Sequence, residues 1–518
     1  MFPNRFTSMT LSSMVLSKGR FRISTARSST AAIGLVMVMA LSGCAVGPMY
    51  QRPSAPVPTQ FKESSAPATQ GTGTPSIAYN NWWLVFNDST LNQLENDADS
   101  ANQDIRVAVA RVDQAEAAAR YSRSFLSPTL SLGTSVLRTR EAQNRPNNGN
   151  TNGRAATFND FQLPLFFNYE IDAWGRVRRS LESARDVHQA TEADLRFVRL
   201  SVEASVAMDY YSLRENDAER AVLDSTIQQL QQALDVITNR FHSGLNSELE
   251  VKQAKTLLDQ TKAQAQALDV ERTQLEHAIA VLDGRAASDF SLAKAPFSGL
   301  PPAIPSGLPS DLLARRPDIA EADRYVAAAT AQIGVARTAY LPHLSLTGYT
   351  GFESTNTNSI FNWQNFIASL GAAALTPVFN GGRIRADVNQ AKAAYRGSLA
   401  QYEKTVLTAY QEVEDQLAAL RVLSGEAHSE NDAVDDAKRA EEIAMNRYKA
   451  GLVGYLDVVF AETTLLSSER VATQINGQRM VATVVLVKAL GGGWLGVSAP
   501  PQQQPNSQTG EAATNSTK

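Results

Sequence analysis

The sequence is poor in the residues from which catalytic and metal centres are built. It carries one cysteine and five histidines in 518 residues, and His188, His242, His277, His343 and His428 fall at no metal-ligand spacing. No His-Glu-x-x-His, Gly-x-Ser-x-Gly or phosphate-binding Gly-x-x-x-x-Gly-Lys-Ser/Thr pattern occurs. Neither an enzyme nor a bound cofactor is therefore expected. An excess of one charge sign is also missing: the net charge of −4 argues against a nucleic-acid partner or a polybasic membrane role. Beyond the N-terminus no apolar run approaches the ~20 residues of a membrane-spanning helix. If the mature chain crosses a membrane, it must do so as a closed barrel of strands, because only closure satisfies every backbone group in hydrocarbon. With 43% hydrophobic and 19% charged residues, the composition is that of a folded chain.

What is present begins at the N-terminus. Arg20, Arg22 and Arg27 precede the apolar run Ala31 to Leu41, which passes directly into Leu41-Ser42-Gly43-Cys44. Basic residues, a short apolar core and small residues make a secretory signal peptide. Leu-Ser-Gly-Cys resembles the bacterial lipobox, so residues 1–43 are expected to be removed and Cys44 to receive lipid, palmitate included. As the only cysteine, Cys44 has no disulfide partner within the chain. Ala45 replaces the aspartate that tends to hold lipoproteins in the inner membrane, which is compatible with export to the outer one. Acyl chains anchor a protein without spanning it. Six prolines lie between residues 45 and 80 among Ser, Thr and Gln, so residues 44–81 read as an extended, lipid-anchored tether.

The rest of the chain is written twice. Asp104-Ile105 recurs as Asp318-Ile319, and Pro128-Thr129-Leu130-Ser131-Leu132 as Pro342-His343-Leu344-Ser345-Leu346, both at an offset of 214. Gly175-Arg176-Val177-Arg178 then returns as Gly382-Arg383-Ile384-Arg385, and Arg240-Phe241 with Gly244-Leu245 as Arg447-Tyr448 with Gly451-Leu452, at an offset of 207. The offset shrinks because an Asn-rich loop near residues 141–157 is longer than its counterpart. Residues 82–296 form the first repeat, 297–310 a proline-rich linker, 311–490 the second repeat and 491–518 a polar tail expected to be disordered.

Each repeat has one layout. A helix to about Phe125 or Tyr340 is stopped by proline. Two stretches of strand character follow: Thr129 to Arg138 and Phe161 to Ile171, then His343 to Tyr349 and Asn365 to Phe379. A glycine opens a long helix, Arg176 to about Phe241 or Arg383 to about Tyr448, and a Gly-containing turn sends a helix back. At ~1.5 Å per residue the long helix spans roughly 100 Å, more than a compact domain requires. Leu223, Ile227, Leu230, Leu234, Ile237 and Phe241 step by four and three, the spacing of a coiled-coil seam. Their counterparts Glu430, Val434, Ala437, Glu441, Ala444 and Tyr448 are less apolar, so the second hairpin is expected to be held less tightly. Two repeats supply four strands, too few for a barrel, so several copies must combine. Three copies leave an open lumen where two would be filled by side chains.

Several segments resemble the outer membrane factor family, of the TolC and OprM/NodT kind, which forms the exit duct of tripartite RND-type efflux pumps. They are Cys44-Ala45-Val46-Gly47-Pro48, Leu312-Leu313-Ala314-Arg315-Arg316-Pro317-Asp318-Ile319, Leu341-Pro342-His343-Leu344-Ser345-Leu346-Thr347-Gly348, and Arg447-Tyr448-Lys449-Ala450-Gly451 with Tyr455-Leu456-Asp457-Val458. They are spread over nearly the whole mature chain and occur in the family's order. The resemblance implies a mainly α fold with a small β part, assembled as a homotrimer whose transmembrane β-barrel continues into a periplasmic α-helical barrel. It implies residence in the outer membrane, a periplasmic adaptor (membrane fusion) protein and an inner-membrane RND-type transporter as partners, and export of small molecules such as drugs. A duct for protein secretion and a structural coiled-coil lipoprotein are the alternatives.

Within that resemblance the far turns of the helical hairpins, Arg240, Gly244 and Leu245 with Arg447, Gly451 and Leu452, match the family's adaptor-contact motif. The same glycines also serve as helix C-caps. Tyr455, Leu456 and Asp457 are candidates for a periplasmic gate around the three-fold axis. Phe460 stands where relatives often carry a second aspartate, so a hydrophobic constriction from Leu456 and Phe460 replaces part of an acidic ring, unless Phe460 packs between helices.

Overall fold

The computed structural model describes residues 45–63, 81–142, 157–295, 297, 299–302, 304 and 309–492. The signal peptide, Cys44, part of the tether, the tip of the Asn-rich loop and the tail after Gly492 lie outside the described residues. After a 3-10 turn at Trp82–Phe86, the first repeat runs α1 (Ser89–Ala101), α2 (Gln103–Ser124), β1 (Thr129–Leu132), β2 (Ser135–Arg140), β3 (Thr157–Glu170), α3 (Arg176–His242) and α4 (Glu248–Leu282). The second runs α5 (Pro309–Arg315), α6 (Pro317–Thr338), β4 (His343–Ser354), β5 (Phe366–Leu375), α7 (Arg383–Lys449) and α8 (Tyr455–Ala489). The duplication is visible in length: α3 and α7 each hold 67 residues, and α4 and α8 each hold 35. Gly175 and Gly382 open the long helices at φ of 81° and 85°, left-handed backbone that lets the chain leave the sheet and start a helix at once.

All strand pairs are antiparallel. β1 and β2 both lie along β3, which pairs with β4, which pairs with β5. β1 and β2 are thus one broken strand, and the layer is four strands wide. The break has a cause. Pro164 sits inside β3, opposite Gly351 of β4, and has no N–H to donate. Its carbonyl accepts from Gly133 N at 2.9 Å, so its missing donor also faces the gap between β1 and β2, where no ladder bond is required. β4 reaches Ser354, further than its sequence pattern indicates, whereas β5 stops at Leu375 because Pro377 follows closely. Leu130, Leu132, Val136, Leu165, Leu370 and Leu375 are exposed on this layer, and among the described residues both of its edges are unpaired.

The helices are held by separate apolar clusters. One gathers Trp82, Trp83, Leu91, Tyr210, Tyr211, Leu213, Ile279 and Val484; another gathers Phe61, Leu312, Ile319, Tyr402, Val406, Val413 and Leu486. Phe61 belongs to the stretch read as a tether, whose described residues 45–63 are extended but not free. Val46 N donates to Trp174 O at 3.1 Å, the Tyr50 hydroxyl bonds Asp323, Arg52 reaches Leu313 O at 2.8 Å, and Glu63 pairs with Arg421 at 2.6 Å. Composition alone hides this because each anchor is a single side chain among prolines.

Charged clamps fix the joints. Arg316, 4% exposed, grips Asp318 with two nitrogens, Glu412 at 2.7 Å and the carbonyl of Ala489 at 3.0 Å, tying the start of α6 to the end of α8. Asp217 accepts from Arg214 Nη1 and Arg272 Nε; the same Arg214 Nη1 also donates to the carbonyl of Ala293, and Arg272 Nη2 donates to that of Leu292, which binds the chain leaving α4 to the α3–α4 pair. Breaking such a pair from one side leaves a buried charge uncompensated.

Another set of buried acids is not compensated. Glu95 of α1 and Asp283 after α4 are fully buried, and none of their carboxylate oxygens has a partner among the described residues. Burial, reinforced by Glu203, Asp283 and Asp99, pushes the Glu95 carboxyl well above the usual range. Burial also lifts Asp283 to about 7, and lifts Glu203 to about 7 against the hydrogen bond from the Trp82 indole. In the window between their ordinary values and about 7 the folded chain holds more protons than the unfolded one, so stability falls as pH rises through it. Glu95→Gln is expected to raise the unfolding temperature at about pH 8, with the gain closing toward about pH 5. A gain independent of pH in thermal melts would show that the Glu95 charge is not the cause.

Candidate functional site

The end of the molecule farthest from the sheet is built by the α3–α4 and α7–α8 turns. Both long helices stop the same way. Gly244 and Gly451 adopt φ of 77° and 74°; their N–H groups bond Phe241 O and Tyr448 O at 2.9 Å, while Leu245 N and Leu452 N reach back to Arg240 O and Arg447 O at 2.9 Å. This paired pattern satisfies the last carbonyls of the helix and requires left-handed backbone at the glycine. Leu245 and Leu452 are left pointing outward, each 71% exposed.

The two turns then diverge. α4 starts on a capping box: Glu250 N donates to Ser247 Oγ, and Ser247 N donates to Glu250 Oε2. α8 starts on Gly454, which has no capping side chain. Arg240 is turned inward, with Nε on Asn246 Oδ1 at 3.1 Å and its guanidinium 5.6 Å from the centre of the Tyr448 ring. Asn246 Nδ2 donates to the Tyr448 hydroxyl at 2.6 Å, a bond between the two repeats. Arg447, the counterpart of Arg240, is exposed and makes no ion pair among the described residues.

Of the four gate candidates, the structure separates one from the rest. Tyr455 is 1% exposed and meets Tyr448 edge-on at 5.4 Å, inside a cluster with Ile237, Ala254 and Val458. It cannot line a lumen, because its place on α8 is the face turned to the other helices. Leu456, Asp457 and Phe460 are exposed, and Leu456 and Phe460 lie one helical turn apart on one face at 61% and 75% exposure. Phe460 therefore does not pack between helices of one chain. Asp457, in the first turn of α8, is favourably placed in the field of the helix N-terminus.

The seams differ as their sequences indicate. Leu223, Leu230 and Ile237 are buried on α3, whereas the matching stretch of α7, residues 430–448, buries only Ala437 and Tyr448. Three groups here were not singled out by sequence reasoning. Asn246 and the Tyr448 hydroxyl carry no repeat signal. Glu462 was detectable by spacing alone: it falls seven residues after Tyr455, on the inward face, where burial and then Glu441 lift its carboxyl to about 7. Among the described residues no His, Cys, Asp or Glu group could hold a metal ion, and no helix is long and apolar enough to cross a membrane.

A family model described as outer membrane efflux protein matches residues 94–285 and 308–492. The chain is 32% identical over 465 residues to the solvent efflux pump outer membrane protein SrpC of Pseudomonas putida, covering 88% of this chain and 97% of that one. It is 29% identical over 461 residues to the cation efflux system protein CusC of Escherichia coli, covering 88% and 97%. Among solved structures, the outer-membrane channel OprN aligns with a TM-score of 0.81 at 28% identity, covering 87% of this chain and 100% of that one. The CmeC outer membrane channel of Campylobacter jejuni aligns with a TM-score of 0.79 at 26% identity, covering 87% and 96%.

Tyr448→Ala removes the ring, the hydroxyl bond and the stacking partner of Arg240 together. It should lower the local stability of the tip by about 2–4 kcal/mol, read as faster amide exchange at both turns with the helices around Arg316 and Asp217 unaffected. Unchanged exchange at the tip would mean that the inter-repeat clamp contributes nothing.

Proposed function

The chain belongs to the outer membrane efflux protein family, and on that premise we propose that it forms the outer-membrane channel of a tripartite pump exporting small molecules from the cell. It is not an enzyme. The observation that carries the reading is the join between sheet and helices. A layer of four strands with two unpaired edges and exposed apolar residues passes directly, through Gly175 and Gly382, into helices of about 100 Å. Such edges leave backbone groups unsatisfied in lipid at several kcal/mol each, so the layer must close on copies of itself. Three copies give roughly twelve strands, enough for a lumen rather than a side-chain-filled core.

In this reading the mature chain is a homotrimer anchored by lipid on Cys44 and spanning the outer membrane, with the helices in the periplasm. The exposed Leu245 and Leu452, set by Gly244 and Gly451, are the apolar contacts offered to a periplasmic adaptor. Arg447 supplies a free charge beside them, and Arg240 shapes the first turn from within. The adaptor in turn links the duct to an inner-membrane RND-type transporter, which selects the cargo. Leu456 and Phe460 form an apolar constriction at the periplasmic mouth, with Asp457 beside it.

The purified protein is expected to have a trimer mass in detergent and to give discrete single-channel currents in planar bilayers. A monomer or dimer without conductance would overturn the barrel argument. Leu456→Ser with Phe460→Ser should raise the resting conductance, since an apolar constriction passes ions poorly until it is wetted; an unchanged conductance would remove these residues from the gate. Cys44→Ala should lose the acyl mass seen by intact-protein mass spectrometry yet still assemble. Retention of that mass would place the lipid elsewhere.

A further inference from the structure

We propose that the second repeat carries a phosphate-binding cleft at the root of α7, which holds the headgroup of an anionic phospholipid of the periplasmic leaflet. The proposal rests on the outer-membrane channel reading. A cleft of about 590 Å³ lies between the last turn of α6 and the first turns of α7, lined by Arg337, Tyr340, Arg385, Val388, Asn389 and Lys392. α6 leads into β4 and α7 follows β5, so the cleft sits directly under the sheet, at the level where a spanning barrel meets the headgroups. Three cations converge there, no carboxylate lines the cleft, and among the described residues none of the three is ion-paired.

The first repeat shows what is unusual about this arrangement. At the same offset of 207, Arg385 corresponds to Arg178, Asn389 to Glu182 and Phe379 to Asp172. There Arg178 Nε lies 3.2 Å from Asp172 Oδ2, and Glu182 takes Arg179 at 2.7 Å. In the second repeat the arginine is kept while both acids are replaced, by an amide and by a phenyl ring. Like charges gathered without counter-ions repel one another, and an external anion relieves that repulsion. Guanidinium and ammonium groups around a hydroxyl make a donor set for phosphate.

The side of the helix root that carries Arg385 is marked by the tether. A Cβ at Gly175 would lie 2.9 Å from the Ala45 side chain and 3.7 Å from the Arg178 guanidinium, so Arg178 is beside the residue that follows the lipid-bearing Cys44. Its counterpart Arg385 occupies the same place in a repeat that has no tether, and nothing lies within 4 Å of a Cβ at Gly382. Val378 and Phe379, in the loop between β5 and α7, are 98% and 92% exposed, and offer apolar surface to acyl chains. Tyr340, half exposed, has the apolar body and polar tip of a residue at a membrane interface.

The test is native mass spectrometry of the purified full-length protein with phosphatidylglycerol, phosphatidylcholine or inorganic phosphate added. Phosphatidylglycerol should be retained over phosphatidylcholine, and Arg337→Gln with Arg385→Gln and Lys392→Gln should lower its retention about ten-fold or more. Asn389→Glu, which returns the acid of the first repeat and removes no cation, should weaken retention in the same direction. Equal retention by wild type and both variants would overturn the proposal. Displacement of the lipid by an equal concentration of inorganic phosphate would replace the headgroup by a free anion and overturn it too. Planar-bilayer currents separate this from the underlying reading. A wild type without currents sinks the duct and this site together, whereas variants that conduct normally and still hold the lipid sink this site alone.

Discussion

A strand edge in hydrocarbon has no water to satisfy it, and this constraint organises the molecule. The layer from β1 to β5 is four strands wide, presents apolar side chains outward and ends on unpaired backbone at both sides. In the proposed trimer, the helices below it would hold those edges where copies can meet. The long helices leave the sheet through left-handed glycines at equivalent points of both repeats, so each hairpin hangs from its own pair of strands. Clamps such as Arg316 and the Asp217 pair then fix the helices around the middle of the molecule, where a small rotation would be magnified along the ~100 Å of helix.

Duplication supplies the scaffold, and departures from it supply the specific features. Arg240 and Arg447 are related by the repeat, yet one is locked onto Asn246 and Tyr448 while the other is left to solvent. Ser247 caps its helix and Gly454 does not. The seam of α3 buries leucine and isoleucine where that of α7 buries alanine, so the second hairpin has less apolar surface to lose on moving. Arg178 keeps its aspartate and Arg385 does not. The two repeats are thus nearly equal halves of unequal firmness.

Much of this was legible along the chain. Heptad spacing, the paired glycines and the two offsets fixed the ends of α3 and α7 to within a residue or two, because helical periodicity and glycine caps are local properties. Strand limits were less legible. The break at Gly133 depends on Pro164, thirty-one residues away, and no local pattern carries that information.

Sequence alone determined the duplication, the element types and the hairpin turns, since each follows from periodicity and composition. Tertiary structure decided which side of each element faces inward. It put Tyr455 into the core and left Leu456 and Phe460 outside, although these residues are neighbours on one helix. It pinned the proline-rich stretch through Tyr50 and Phe61, and it gathered Glu95, Glu203 and Asp283 from three separate segments into one buried group. Such groupings depend on distances between residues eighty or more positions apart, which only the packing of the helices sets.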